Sequence, residues 1–397
     1  EDAAHLRPHR DAGLGALGWL LRKLLGFAVW IGLGVGAALI YTEMQTSEWQ
    51  ASYLHGMGER ISFKVEAGAS KDTRFPKFGP FDERLGYAQL PGFTANLDKQ
   101  GFRVTQQARM SPKMLELADK GLFASYAEKT QAGLTILDTT GKRLFKAQYP
   151  ERIYDSFAAI PRPLVDALLF IENRELLDTK HPKKNPAVEW DRLGKAVLDQ
   201  ALHVLDSDQD TPGGSTLATQ IEKYRHSPDG RTGSITEKFR QMASASLRAY
   251  RDGEDTLLAR QRVVLNYINT VPLAAKSGIG EISGVGDGLW AWYGRDFADV
   301  NRILSDKSNK NVPLDEQALA YKQALSLFIS QRRPSYYFAS NHEALNTLTD
   351  SHLRLLAQAG VIATGLRDAA LTIKLDPGAT LARPAPTSFV TRKAVTA

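Results

Sequence analysis

Apolar residues fall first into one unbroken block and then into short periodic runs. Residues 24–41 carry no charge and are rich in Leu, Gly, Ala and Val. Extended backward through 17–21 across Arg22 and Lys23, the block is long enough to cross a bilayer, which takes about 20 residues. Arg7, Arg10, Arg22 and Lys23 lie on its N-terminal side, and Glu43 and Glu48 follow it. The positive-inside rule then leaves the N-terminus in the cytoplasm and the body outside. A cleaved signal peptide is the competing reading, but its apolar core would be shorter, and no small-x-small site follows Tyr41. The block therefore reads as a single membrane anchor.

Beyond the anchor the periods are short. Residues 61–66 alternate as a strand does. Residues 75–80 form a turn-rich connector. A helix is predicted over 111–121, with Ser111 as cap, Pro112 at its first position and Gly121 as its stop. Segments 134–138 and 143–147 flank Thr139-Thr140-Gly141-Lys142, a hairpin signal. The period then becomes helical. Over 164–177, Leu164, Ala167, Leu168 and Ile171 share one face. Over 190–205, Leu193, Val197, Ala201 and Leu205 do the same. Residues 236–250 are expected to bury Phe239, Met242, Ala243 and Leu247, and 257–269 to run through Leu258, Val264 and Ile268. Further helices are predicted over 314–330 and 344–359. Residues 225–234 are polar and expected to be mobile. The glycine density of 278–288 argues against a helix interior. The body is mainly α, with no internal repeat.

Composition narrows the chemistry without choosing it. A chain of 397 residues has room for roughly two or three domains. Its net charge of +6 favours anionic partners but does not separate nucleic acid from phospholipid or a lipid pyrophosphate. With no Cys, disulfides, thiol catalysis and thiolate metal sites are excluded. The most suggestive stretch is 212–223, where Pro212-Gly213-Gly214 leads into Ser215-Thr216 and then an unbroken run to Lys223. It reads as a tight turn ending in a helix N-terminus capped by Ser215 or Thr216. Such an end suits a phosphate or another oxyanion; the plainer reading is an ordinary capped helix. The spacing is not that of a Walker loop. Glu172 stands late in the 164–177 helix, where a charged end is equally a solvated face. Lys223, Arg231, Lys238 and Arg240 supply cations. One carboxylate as general base facing a cationic site is a workable layout for group transfer from a pyrophosphate donor. No zinc spacing, Gly-x-Ser-x-Gly elbow or Ser-x-x-Lys motif accompanies it.

These pieces, in this order, resemble the peptidoglycan glycosyltransferases of family 51, the lipid II polymerases. The matching motifs are Glu172-Asn173-Arg174-Glu175-Leu176, the 213–223 run, Glu237-Lys238-Phe239-Arg240-Gln241 and Val263-Val264-Leu265-Asn266-Tyr267-Ile268-Asn269. Gly284-Val285, Trp292-Tyr293-Gly294-Arg295 and Pro334-Ser335-Tyr336-Tyr337 follow. The resemblance divides the chain into a cytoplasmic segment (1–16), a transmembrane helix (17–41), a small mixed α/β juxtamembrane module of unknown role (42–132), a lysozyme-like, mainly α glycosyltransferase domain (133–375) and a Pro/Thr-rich tail (376–397). It also implies a small membrane-facing subdomain between the catalytic helices.

By the same resemblance, Glu172 is the general base and Gln241 the second catalytic position. Asn173, Arg174, Gly214, Ser215, Thr216, Gln220, Lys223, Arg231, Lys238, Arg240 and Asn269 are implied to bind substrate. The implied partners are a lipid-linked disaccharide-pyrophosphate donor, the growing glycan, membrane lipid and other cell-wall synthesis proteins, with no nucleic acid. The implied place is the bacterial inner membrane, with the body on its outer or periplasmic face. A divalent metal, Mg²⁺ or Mn²⁺, is a possible family cofactor. The departures are Asn173 for the family's Asp, Gln241 and Leu265 for its Glu, Ala218-Thr219 for Thr-Gln, and Tyr224 for Asn. Two alternatives stay open: an impaired member that binds lipid-linked glycan or acts as a scaffold, and a lysozyme-like hydrolase.

Overall fold

The computed structural model describes residues 11–76, 79–123, 125–190, 215–305 and 312–378. The helix expected over 190–205, the acidic link after it, Gly213 and Gly214 lie outside the described residues, apart from Trp190 itself. The chain opens with α1 (Asp11–Thr46), which runs past the limit at position 41 read from the sequence. Within its stretch Trp19–Thr46 an 18-residue run reaches a mean hydropathy of 2.1 and is not buried against the rest of the protein. Among the described residues it is the one helix long and apolar enough to cross a membrane.

A small mixed module follows: α2 (Glu48–Gly58), β1 (Phe63–Ala67), α3 (Pro80–Arg84), α4 (Leu90–Lys99), β2 (Gln106–Met110) and α5 (Pro112–Asp119). Strands β1 and β2 pair antiparallel, Phe63 opposite Met110. Ser111 caps α5 by accepting from the Met114 amide, and Gly121 takes a positive φ of 86° just after it, as the sequence signals require. Strands β3 (Ala132–Leu137) and β4 (Arg143–Tyr149) make the expected hairpin.

The helical body comprises α6 (Arg162–Glu172), α7 (Leu217–His226), α8 (Ile235–Tyr250), α9 (Leu257–Thr270), a short hairpin of β5 (Pro272–Lys276) and β6 (Gly280–Ser283), then α10 (Val285–Tyr293), α11 (Phe297–Ser305), α12 (Leu314–Ser330), α13 (His342–Gln358) and α14 (Thr364–Leu371). Its centre is α12, wrapped by α6, α10, α11, α13 and α14. Ala318, Ala320, Tyr321, Ala324, Leu325 and Leu327 on α12 have no exposed surface. Its polar Lys322, Gln323, Ser326 and Ser330 are buried as well, so nearly the whole circumference of the helix faces protein.

Four expectations need correction. First, α6 stops at Glu172 rather than at 177, because Asn173 is extended (φ −161°, ψ 91°). The carbonyls beyond it are gathered by the buried Arg260 guanidinium, which donates to Leu176, Asp178, His181 and Pro182. Second, α8 turns a different face inward. Phe239 is 64% exposed and Ala243 is exposed, while Glu237, Gln241 and Ser244 are buried beside Leu247. Those polar groups find partners inside, and a satisfied hydrogen bond removes the main cost of burying them. On α9, Leu258 is likewise exposed, although Val264 and Ile268 are fully buried. Third, the glycine-dense stretch ends inside a helix. A Cβ on Gly286 would lie 2.3 Å from the Arg152 carbonyl oxygen and one on Gly288 2.6 Å from a Leu273 methyl. Close approach here outweighs helix propensity. Fourth, the polar segment from 225 does not begin as a mobile loop: Arg225 and His226 finish α7, and both are buried with Ser227.

Candidate active site

The helix α7 organises the site because its two sides serve two different environments. Thr216 is its N-cap, accepting from the Thr219 amide while the Thr219 hydroxyl accepts from the Thr216 amide. That reciprocal cap fixes where the helix begins. Leu217 and Ile221 anchor it in the core. Gln220 and Lys223, three apart and so on one face, then point toward the end of α6.

There Glu172 is 7% exposed. Its Oε2 accepts from Gln220 Nε2 at 2.7 Å and its Oε1 from Gln331 Nε2 at 3.0 Å. The Tyr267 hydroxyl donates to Gln220 Oε1 at 3.4 Å. Burial lowers the Lys223 ammonium below its usual range, and the nearby Glu172 charge opposes that shift. Burial also lowers Lys238, and the like charge of Lys223 adds to the effect. Lys238 donates to Ser215 Oγ in a short hydrogen bond. Glu172, Gln220, Lys223, Lys238 and Ser215 thus form one linked group: the buried carboxylate is near the desolvated Lys223 ammonium, which in turn is near Lys238, itself bound to Ser215 beside the α7 N-cap. Such a pair of ammonium groups seeks an anion, because each raises the cost of the other's charge.

The remaining candidates lie elsewhere or are otherwise engaged. The fully buried Thr216 hydroxyl is taken up by the cap. Asn269 clamps the Tyr154 backbone, accepting from its amide at 2.9 Å and donating to its carbonyl at 2.8 Å. Gln241 donates to Ser227 and Thr232, 3.0 Å from each. Arg240 pairs with Glu237 at 2.9 Å and lies over Phe123 of the segment after α5, away from Lys238. Asn173 is buried at the turn after α6, Arg174 stacks on Phe170, and Arg231 is an exposed loop residue. Gly214 lies outside the described residues.

Sequence reading missed Gln331 and Tyr267 as partners of the site: Tyr267 stands within the 263–269 motif with no role assigned to it, and Gln331 lies outside every motif. It also missed the other side of α7. Glu222, Arg225 and His226 there meet Arg248 of α8 together with Asp82 and Glu128 of the segment before β3. His226 Nδ1 lies 3.1 Å from the Asp82 carboxylate and its Nε2 2.9 Å from Glu128. Arg225 lies 3.3 Å from Glu128, and Arg248 2.8 Å from Glu222. Three acids balance three bases in this buried group. Asp82, Glu128 and His226 also bring possible metal-ligand atoms within 4.8 Å of one another.

Burial alone would lower the His226 imidazolium, but Glu128, Asp82 and Glu222 outweigh it and raise the group from 6.5 to about 9. A raised folded-state value means that its stabilisation is complete below the unfolded value and lost as pH climbs through the folded one. Stability to denaturant is therefore expected to decline between about pH 6.5 and about pH 9. Substituting His226→Gln should flatten that part of the profile; an unchanged slope would place its origin elsewhere.

A family model described as transglycosylase matches residues 140–358, more than half of the chain. No curated protein matches it.

Proposed function

The chain belongs to the transglycosylase family, and from that premise we propose that it is a membrane-anchored glycosyltransferase that extends peptidoglycan strands from a polyprenyl-pyrophosphate-linked, lipid II-like donor. The family supports a peptidoglycan glycosyltransferase in general, and the mainly helical body is consistent with its lysozyme-like domain. The single observation that carries the finer reading is the buried Glu172 held by Gln220 of α7, the helix that also bears Lys223 and whose N-cap lies beside the Ser215–Lys238 pair.

In this reading Glu172 accepts the proton of the acceptor sugar's 4-hydroxyl. The freed oxygen bonds to the anomeric carbon of the donor, and the bond from that carbon to the pyrophosphate oxygen breaks. Lys223, Lys238 and the Ser215 hydroxyl stabilise the departing diphosphate, whose charge grows in the transition state. The apolar α1 helix supports a single-pass anchor, and Arg22 and Lys23 on its N-terminal side support a body on the outer face. Exposed Ile235 and Phe239 on α8 support contact of that side with lipid. Other cell-wall synthesis proteins are natural partners for such a body.

The possible family metal fits poorly here. Gln241 replaces a carboxylate, its amide is engaged by Ser227 and Thr232, and Mg²⁺ prefers carboxylate oxygen. The Asp82–Glu128–His226 group is ringed by Arg225 and Arg248. No step is assigned to a metal, and the two lysines carry the neutralisation.

Labelled lipid II supplied to the purified full chain, with and without Mg²⁺ or Mn²⁺, tests the reading through the length of glycan made. Lys223→Ala and Lys238→Ala are each expected to slow polymerisation about 10²- to 10³-fold, the usual loss for one transition-state charge contact. Affinity for lipid II without turnover would replace the reading with a binder, and soluble fragments released from sacculi would replace it with a hydrolase.

A further inference from the structure

Glu172 is placed where two common effects oppose a negative charge. It is buried, and it is the last residue of α6, at the negative end of that helix's dipole. Two amide groups from different parts of the fold offset this. Gln220 Nε2 reaches Oε2 at 2.7 Å, and the hydroxyl of Tyr267 on the other side of Gln220 turns its amide so that nitrogen faces the carboxylate. Gln331 Nε2 reaches Oε1 at 3.0 Å. Gln331 is the residue that closes α12, the helix at the centre of the core, so its place is set by the packing of the whole body.

Donors on both carboxylate oxygens fix the tilt of the carboxylate plane as well as its place. An amide N–H does not give up its proton at working pH, so the two glutamines hold Glu172 without competing for the role of base. We propose that Gln331 is a positioning residue for Glu172: it holds and orients the carboxylate through Oε1, while Gln220 holds Oε2. The inference rests on the glycosyltransferase reading for the reaction that Glu172 serves, and on geometry alone for the contact itself.

The test uses the full chain with Gln331→Met, which keeps the length and removes the donor, and Gln331→Glu, which adds a second carboxylate. In Gln331→Met, kcat for glycan synthesis is expected to fall about ten- to a hundredfold with KM within about twofold. In Gln331→Glu, where a like charge faces Glu172, kcat should fall further. A second readout does not need turnover: the infrared carboxylate stretching band that disappears in Glu172→Gln should shift in frequency once the Gln331 donor to Oε1 is removed. A lower kcat with that band unmoved would mean a merely structural role and overturn the proposal, as would a Gln331→Met enzyme indistinguishable from the parent. If the parent makes no glycan but the band shifts in Gln331→Met, the positioning holds and the glycosyltransferase reading fails.

Discussion

Substituting Glu172→Gln is expected to lower glycan synthesis from lipid II by about 10²- to 10⁴-fold, the contribution of a positioned general base. The change is nearly isosteric, so the loss comes from chemistry rather than from a cavity. A carboxamide cannot accept the proton of the acceptor hydroxyl. It also disturbs the surroundings in a defined way. Both oxygens of Glu172 accept from glutamine amides, and in the variant one of them becomes an NH₂ group facing another donor. The measurement is the rate and length distribution of product from labelled lipid II, with the melting transition of the variant as control. Glycan chains made as fast by the variant would remove Glu172 from the mechanism. A loss matched by a collapse of the melting transition would say only that the residue holds the fold.

The second large effect is on stability. Glu128→Gln removes one of three acids from the buried group that joins the juxtamembrane module to α7 and α8. The Glu128 side chain is 3% exposed and lies within 4 Å of Arg225, His226 and Arg248. Removing one partner of a buried ion pair leaves an uncompensated charge and typically costs about 3–5 kcal/mol. That is the loss expected in denaturant unfolding. The double substitution Glu128→Gln with His226→Gln removes one charge of each sign and should recover more than half of it. A cost below about 1 kcal/mol, the range of exposed pairs, would show that the group does not hold the module. The effect should reach catalysis as well, because α7 carries Gln220 and Lys223 on one side and Glu222, Arg225 and His226 on the other. Loosening the charged side shifts the helix that sets the distance from Lys223 to Glu172, and displacements of about 1 Å at such positions cost about a hundredfold in rate.

Much of this was legible from residues alone. The apolar block marks the membrane-length helix, and the turn chemistry of 139–142 marks the β3–β4 hairpin. The limits of α12 coincide with the helix predicted over 314–330. The Ser-Thr pair after the glycines contains the cap of α7. The ordered motifs also pointed to the family that matches residues 140–358. All of these depend on neighbours in sequence: a cap needs the next three residues, a hairpin its turn, an amphipathic helix its own period. Their energetics are local, so a short window contains them.

What lay beyond the sequence is the set of polar groups whose burial depends on a distant partner. Periodicity reports only the apolar side of the balance, so Phe239 is expected inside α8 and Gln241 outside, and the fold does the reverse. Gln241 can go in because Ser227 and Thr232 meet it there. Arg240 belongs to a cationic motif in sequence, yet the turn of α8 aims it at Glu237 and Phe123 rather than at Lys238's neighbour Ser215. Glu172 meets Gln331 across 159 positions, and His226 meets Asp82 across 144. The chain by itself determined where several of its longer helices lie, the membrane-length one included, and which family its motifs belong to. Only the tertiary structure decided which charges neutralise one another and which amides hold the carboxylate, because a buried polar group is stable only where the fold delivers its partner.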